Sequence, residues 1–310
     1  MSVGGSEAAM PIPARRRLIA RGLAVGLLLS AIGVGYWICL PRHDDSERVD
    51  FLNRFQGGSL VIAGGGRLPI EIRQRFLDLA GGPRQAKIVV IPAYDPNEKQ
   101  AAGLLDVWQS LGVASVQILH SSSREESNRG EFVRPLDEAT GVWLSGGQQA
   151  WLSQRYAGTL VEDKLRAVVD RGGVVGGSSA GAAAMTRVMI EQGVEEAAEG
   201  VGFDLFREAI IDQHFLRRSR LNRLIGLMES HPHLTAFGID EGTALVVQVP
   251  KGRLGVLGSS YVLAYVPDTE TGSRRFETLK HGDQIDLAGL KSGRVKVGSP
   301  SDLDAMLADE

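Results

Sequence analysis

From Ser59 to Gly176 the chain switches repeatedly between two hydrophobic periods. Short β-rich runs recur: Leu60-Val61-Ile62-Ala63 before Gly64-Gly65-Gly66, Ile88 to Ile91 stopped by Pro92, Val113 to Leu119, Gly141 to Leu144, and Gly173 to Gly176. Stretches of helical spacing separate them: Ile70 to Leu79 with Ile72, Phe76 and Leu79 on one side, a helix through Leu104, Val107, Trp108 and Leu111, then Gln149 to Tyr156 and Leu160 to Asp170. Residues 121–131 are polar and read as loop. Buried strands alternating with helices predict an α/β fold, a mostly parallel sheet with helices on both faces. Beyond Gly238 the pattern turns β-rich (Ala244 to Val249, Gly255 to Val266, Gln284 to Leu287), which reads as an edge extension of the same domain. There is no internal repeat.

Ahead of this domain lies a different kind of sequence. Arg15, Arg16, Arg17 and Arg21 precede an uncharged apolar run from Gly22 to Leu40, with Tyr36 and Trp37 near its far end. At ~1.5 Å per residue the run makes roughly 28 Å of helix, close to the ~30 Å hydrocarbon core of a bilayer. The expected organisation is a cytoplasmic basic segment (1–21), a transmembrane anchor or signal segment (22–40), a charged linker (41–57) and an exported catalytic domain (58–310), oriented by the positive-inside rule. A cleaved signal peptide is the rival, although no small-x-small cleavage site follows the apolar core. The single cysteine, Cys39, lies inside that run, which excludes a disulfide framework within the chain and a cysteine nucleophile in the soluble part. A net charge of −3, from 34 basic and 37 acidic residues, argues against nucleic acid as a partner.

Gly177-Ser178-Ser179-Ala180-Gly181 joins a predicted strand to an alanine-rich helix start. G-x-S-x-G at such a turn is a nucleophile elbow, in which small neighbours let a strained serine project its hydroxyl at the sheet edge. The central serine is Ser179, and Ala180 N–H is placed to donate to a developing oxyanion. Of six histidines, His43 falls in the linker, His120 ends a strand, His281 sits in a turn, and His231 and His233 flank Pro232 without metal-site spacing. His214 remains, at the polar end of the apolar run Ile210-Ile211-Asp212-Gln213. Arg217, Arg218, Arg220 and Arg223 follow; Arg217, Arg220 and Arg223 recur every third residue, as on one side of a helix. Guanidinium groups beside a serine–histidine pair suit a carboxylate-bearing substrate. Ser145-Gly146-Gly147-Gln148-Gln149 follows another strand, so its glycine N–H groups can supply a second oxyanion donor with Gln149 lining the pocket. Asp240 and Glu241 stand just before a buried strand, and one of them, with Glu241 favoured, can hold the histidine's Nδ1–H. No metal and no cofactor is expected.

These ordered motifs resemble the cyanophycinase family of serine peptidases, relatives of aspartyl dipeptidase with a class I glutamine-amidotransferase-like fold, from about Ser59 to Val266. The resemblance implies Ser179 as nucleophile, His214 as base and Glu241 as orienting acid, with Gly147 and Ala180 as oxyanion donors. It further implies a substrate pocket of Gln149, Asp212, Gln213, Arg218, Arg220 and Arg223, in which arginines clamp aspartyl carboxylates and Asp212 faces a substrate guanidinium. Such enzymes cut an aspartate–arginine polymer from its C-terminal end into β-Asp-Arg dipeptides. The implied partner is that polymer or another acidic peptide, with a homodimer open as the assembly. Leu216 and Gly242 depart from the family's polar residues at their positions. An α/β-hydrolase esterase shares the elbow, but its histidine comes last in the chain and its His-Gly-Gly-Gly segment is missing here. A membrane-tethered, non-catalytic peptide-binding module is the remaining alternative.

Overall fold

The computed structural model describes residues 57–267 and 274–291. The predicted transmembrane or signal segment, 22–40, lies outside them, as does the linker but for its last residue. Among the described residues no helix is long and apolar enough to cross a membrane.

The first half builds strands β1 (Ser59–Ala63), β2 (Lys87–Ala93), β3 (Ser115–Ile118), β4 (Gly141–Gly147) and β5 (Val174–Ser178), with helices α1 (Ile70–Leu79), α2 (Glu98–Gln109), α3 (Gln149–Tyr156) and α4 (Leu160–Asp170) between them. Asn97 and Gln100 form a reciprocal capping box that starts α2, and the Thr159 side chain accepts from Val161 N–H at the start of α4. Two local expectations shift. β2 does not stop at Pro92 but runs to Ala93 through a register irregularity between Ile91 and Ala93, where a sheet tolerates a residue without an N–H. Residues 121–131, expected as loop, enter a series of helical turns at Arg124–Ser127, Gly130–Val133 and Pro135–Glu138.

After a short helix α5 (Ala180–Ala183) come a hairpin, β6 (Val188–Gln192) and β7 (Ala198–Val201), then β8 (Ala209–Gln213), helix α6 (Leu221–Ser230) and β9 (Thr235–Ile239). The β-rich end contributes β10 (Thr243–Gln248), β11 (Arg253–Gly258), β12 (Tyr261–Pro267), β13 (Arg274–Lys280) and β14 (Gln284–Asp286).

The main sheet has eight strands in the order β14-β11-β10-β1-β5-β4-β2-β3. β1 to β5 are mutually parallel, whereas β10, β11 and β14 extend it antiparallel. The sheet is thus mixed, and part of the β-rich end is the expected edge extension. The other part is not. A second sheet of four strands, β13-β12-β9-β8, takes in the run before His214, and the predicted single run from Gly255 to Val266 breaks at Ser259-Ser260 into strands of different sheets.

Alternation along β1 shows how the layers are held. Val61 and Ala63 face an aromatic cluster of Phe76, Trp108 and Trp143, whose ring centroids lie 5.0–5.3 Å apart beneath α1 and α2. Leu60 and Ile62 face the opposite side, into a core shared with α3, α4 and the inner face of the second sheet, including Ile211, Phe237, Ile239 and Val262. The second sheet's outer face, with Ile210 and Ala236, is covered by Leu224, Leu227 and Met228 of α6.

Candidate active site

Three chain segments meet at the glycine-rich end of β1. Ser179 N–H donates to Ala63 C=O (3.0 Å), His214 N–H to Gly64 C=O (2.8 Å) and Gly242 N–H to Gly65 C=O (2.9 Å), while Gly64 N–H donates to Thr243 C=O (2.9 Å). Serine, histidine and acid therefore hang from one turn, although they come from the main sheet, the second sheet and the β9–β10 crossover.

Ser179 sits between β5 and α5 at φ 54°, ψ −110°, a conformation costly for a residue with a Cβ. The helix that follows packs closely on the sheet: a Cβ on Gly181 would stand 2.2 Å from Leu144 O. His214, just past β8, is also left-handed, at φ 52°. The Ser179 Oγ lies 2.7 Å from His214 Nε2, and His214 Nδ1–H donates to Glu241 Oε1 at 2.6 Å. With Nδ1 holding the proton, Nε2 is the free acceptor for the serine hydroxyl. Residues thirty-five positions apart in sequence thus touch.

The floor of this relay is Gly65-Gly66. Gly65 has φ +102°, and a Cβ there would fall 2.4 Å from His214 Cε1. At Gly66 (φ +69°) a Cβ would fall 2.7 Å from Glu241 Oε2. In the sequence these glycines only close an apolar run; in the structure Gly65 and Gly66 leave room for the imidazole and its carboxylate, and a Cβ on Gly64 would stand 2.2 Å from Asp240 O. The signal was present in their position, directly after the central strand.

The choice between the two acids is resolved by hydrogen bonding. Asp240 Oδ1 accepts from Arg217 N–H (2.9 Å) and Oδ2 from the Ser260 hydroxyl (2.7 Å). It fastens the turn after His214 to the second sheet. Burial opposes its ionisation, but these bonds outweigh that and hold its pKa below the usual carboxylate range. The His214 pKa is lowered, chiefly by burial; Glu241 pulls the other way, and the cations of Arg218 and Arg220 add to the depression.

The predicted substrate pocket divides. Asp212, fully buried, receives Arg223 Nε at 2.8 Å and a second, shorter bond from Arg223 Nη2; Arg223 is itself only 2% exposed. These two groups satisfy each other, which corrects the expectation that Asp212 faces a substrate guanidinium and Arg223 a substrate carboxylate. Burial still raises the Asp212 pKa, against the pull of Arg223 and Arg220. Arg220 Nη1 donates to Gln213 C=O (2.6 Å) and reaches Asp212 at 3.4 Å. Arg218 is exposed, and its guanidinium makes no hydrogen bond or ion pair among the described residues. Gln213, 3% exposed, keeps its side-chain oxygen without a partner. The one-helix-face reading of the arginines fails because α6 begins only at Leu221; Arg217, Arg218 and Arg220 lie in the preceding turn.

On the opposite wall, Gly147 ends β4 and Ala180 opens α5, where the first N–H groups have no intrahelical acceptor. Gln149 does not leave its amide nitrogen to the pocket: Nε2 donates to the carbonyls of Ile190 (3.0 Å) and Glu191 (2.6 Å) on β6. The β6–β7 hairpin, unforeseen from sequence, also takes Ser153 Oγ at Val201 C=O, Arg223 Nη1 at Gly193 C=O and His231 at Glu199. It thereby ties both walls of the site together. Among the described residues no three His, Cys, Asp or Glu side chains cluster as a metal site.

This geometry can perform acyl transfer: a strained hydroxyl, an imidazole accepting its proton, and a carboxylate fixing the tautomer. Comparison with known proteins places the chain among peptidases. Residues 60–254 match the family described as Peptidase family S51. The chain is 34% identical over 223 residues to a cyanophycinase of Synechococcus elongatus, covering 68% of each chain. It is 33% identical over 244 residues to a cyanophycinase of a Nostoc species, covering 70% of this chain and 80% of that one. The fold is shared with the crystal structure of a peptidase from an acI-B1 Actinobacterium, with a TM-score of 0.61, 23% identity, and coverage of 74% of this chain and 96% of that one. The chain belongs to peptidase family S51, the serine-type peptidases that include the cyanophycinases.

Proposed function

We propose that this peptidase is a serine exopeptidase of cyanophycinase type, cleaving aspartate–arginine polymer or other β-aspartyl peptides through an acyl-enzyme. The observation that carries the reading is the unbroken relay from Ser179 Oγ through His214 to Glu241, with links of 2.7 and 2.6 Å. Ser179 Oγ attacks the scissile carbonyl as His214 Nε2 takes its proton, and Glu241 stabilises the resulting imidazolium. Gly147 and Ala180 N–H groups receive the oxyanion. The tetrahedral adduct collapses with breakage of the C–N bond, the imidazolium returning its proton to the leaving amine. Water, deprotonated by His214, then releases the acyl group and regenerates the hydroxyl.

Substrate recognition falls to Arg218 for a carboxylate and to the unpartnered Gln213 oxygen for a substrate N–H, with Arg220 beside them. The test is a hydrolysis panel of cyanophycin, β-Asp-Arg, α-aspartyl peptides and p-nitrophenyl esters. Ser179→Ala and His214→Ala are expected to lower turnover by about 10³-fold or more, since such residues act as a unit. Arg218→Ala is expected to raise KM for acidic peptides and not for neutral ones. Ester turnover without peptide cleavage defeats the proposal. The proposal extends to an exported catalytic domain, supported by the apolar run 22–40 behind Arg15-Arg16-Arg17; a C-terminal alkaline phosphatase fusion that is inactive in cells counts against it.

A further inference from the structure

We infer that Ser145 is a positioning residue that aims the Gly147 N–H into the site. The Ser145 hydroxyl, in a residue 5% exposed, accepts from Ala93 N–H on β2 (3.0 Å) and donates to the carbonyl of Gly146 (2.9 Å). The Gly146 carbonyl is thereby held to the β2 side of β4. Among the described residues no peptide bond is cis, and in a planar trans peptide the C=O and the following N–H point in opposite directions. Fixing that carbonyl toward β2 turns Gly147 N–H the other way, and across β4 from β2 lies β5, which leads into Ser179.

Three neighbouring features frame this peptide. A Cβ on Gly146 would stand 3.7 Å from Ser179 Cβ, so this peptide runs directly beside the serine. Gly147 adopts φ +148°, and a Cβ there would fall 2.6 Å from Ala93 O. Gln148 N–H donates to Ala93 C=O at 2.9 Å, pinning the far side of the turn. Ser145 supplies the one side-chain link in this arrangement. Without its hydroxyl the Gly146–Gly147 peptide plane keeps only the backbone pairing of Ala93 with Gly147, and a donor that must meet charge only in the transition state loses part of its preorganisation.

This inference rests on the acyl-transfer reading above, and its test separates the two. Full-length Ser145→Ala is compared with wild type for kcat, for inhibition by an aspartyl peptide aldehyde, whose adduct on Ser179 places an oxyanion, and for inhibition by the product dipeptide, which forms no adduct. The expected result is a fall in kcat of about 10- to 10²-fold, below the 10²–10³-fold cost of deleting an oxyanion donor outright. The Ki of the aldehyde should rise by a similar factor, with the Ki of the dipeptide unchanged. Ser145→Cys, which keeps the volume and a weak donor, is expected to fall between the two and carries the test if the alanine variant does not fold. A kcat within twofold of wild type, or equal weakening of both inhibitors, overturns the positioning role. A wild-type chain that cleaves no acidic peptide and is not inhibited by the aldehyde overturns the acyl-transfer reading, and this inference with it.

Discussion

At the residue scale, His214 sets the pH range in which the relay works. Burial disfavours its imidazolium, Arg218 and Arg220 repel it, and Glu241 favours it, with the balance below the ~6.5 of an ordinary imidazole. A base must be neutral to take the serine proton, so the acid limb of kcat/KM is expected to lie below 6.5. Arg218→Ala removes a repelling cation and should move the limb up; Glu241→Gln removes the favouring charge and should move it down, besides lowering turnover. A pH-rate series on both variants checks this, and movement in the same direction excludes His214 as the titrating group. Stability follows the same sign. In the window between the ordinary and the lowered value the unfolded chain binds a proton that the folded chain refuses, so folding weakens as pH falls through it. The serine and the histidine could be picked from sequence because a turn motif and a short histidine inventory isolate them. The acid is favoured as Glu241 without being separated from Asp240, since the two are adjacent and only side-chain direction distinguishes the carboxylate that meets His214 from the tether for Arg217 N–H. The helix-face reading of the arginines fails for a related reason: spacing describes a helix face only where there is a helix.

At the scale of elements, periodicity located β1, β2, β4 and β5 and the limits of α1, α3 and α4, because strands buried on both faces and amphipathic helices write their burial into sequence. It did not assign partners. Ile210 and Ile211 read like any other buried strand, yet β8 pairs with β9 in the second sheet. The glycines divide in the same way, by surroundings that sequence does not state. Gly65 lies under the imidazole, whereas a Cβ on Gly103, inside α2, would meet nothing within 4 Å. Gly65→Ala is therefore expected to displace His214 and lower kcat by about 10²-fold or more, the scale of a ~1 Å misplacement. Gly103→Ala should leave kcat unchanged and stabilise the fold by about 0.5–1 kcal/mol through helix propensity. Paired urea titrations and rate measurements test both; a Gly65→Ala enzyme with wild-type turnover removes the glycine turn from the site.

At the scale of the whole molecule, the relay doubles as a joint between two sheets. Ser179 is carried by the main sheet and His214 by the second, while Glu241 lies on the crossover from β9 to β10. One apolar core holds the arrangement, because Ile62, Val175 and Val247 from the main sheet and Ile211, Phe237 and Ile239 from the second belong to the same cluster. A shared core predicts a single cooperative unit, with no state in which one sheet has melted and the other persists. Two probes read opposite ends of it: Trp108 and Trp143 lie beneath α1 and α2 on the far face of the main sheet, and activity reports the joint. Their urea transitions are expected to coincide. Phe237, fully buried and stacked 5.8 Å from Phe206, sits between the sheets, so Phe237→Ala should cost about 3–5 kcal/mol by cavity formation and lower both midpoints together. Loss of activity at urea concentrations that leave tryptophan emission unchanged would instead show that the second sheet detaches alone, and the relay would then be a contact made by docking rather than by folding.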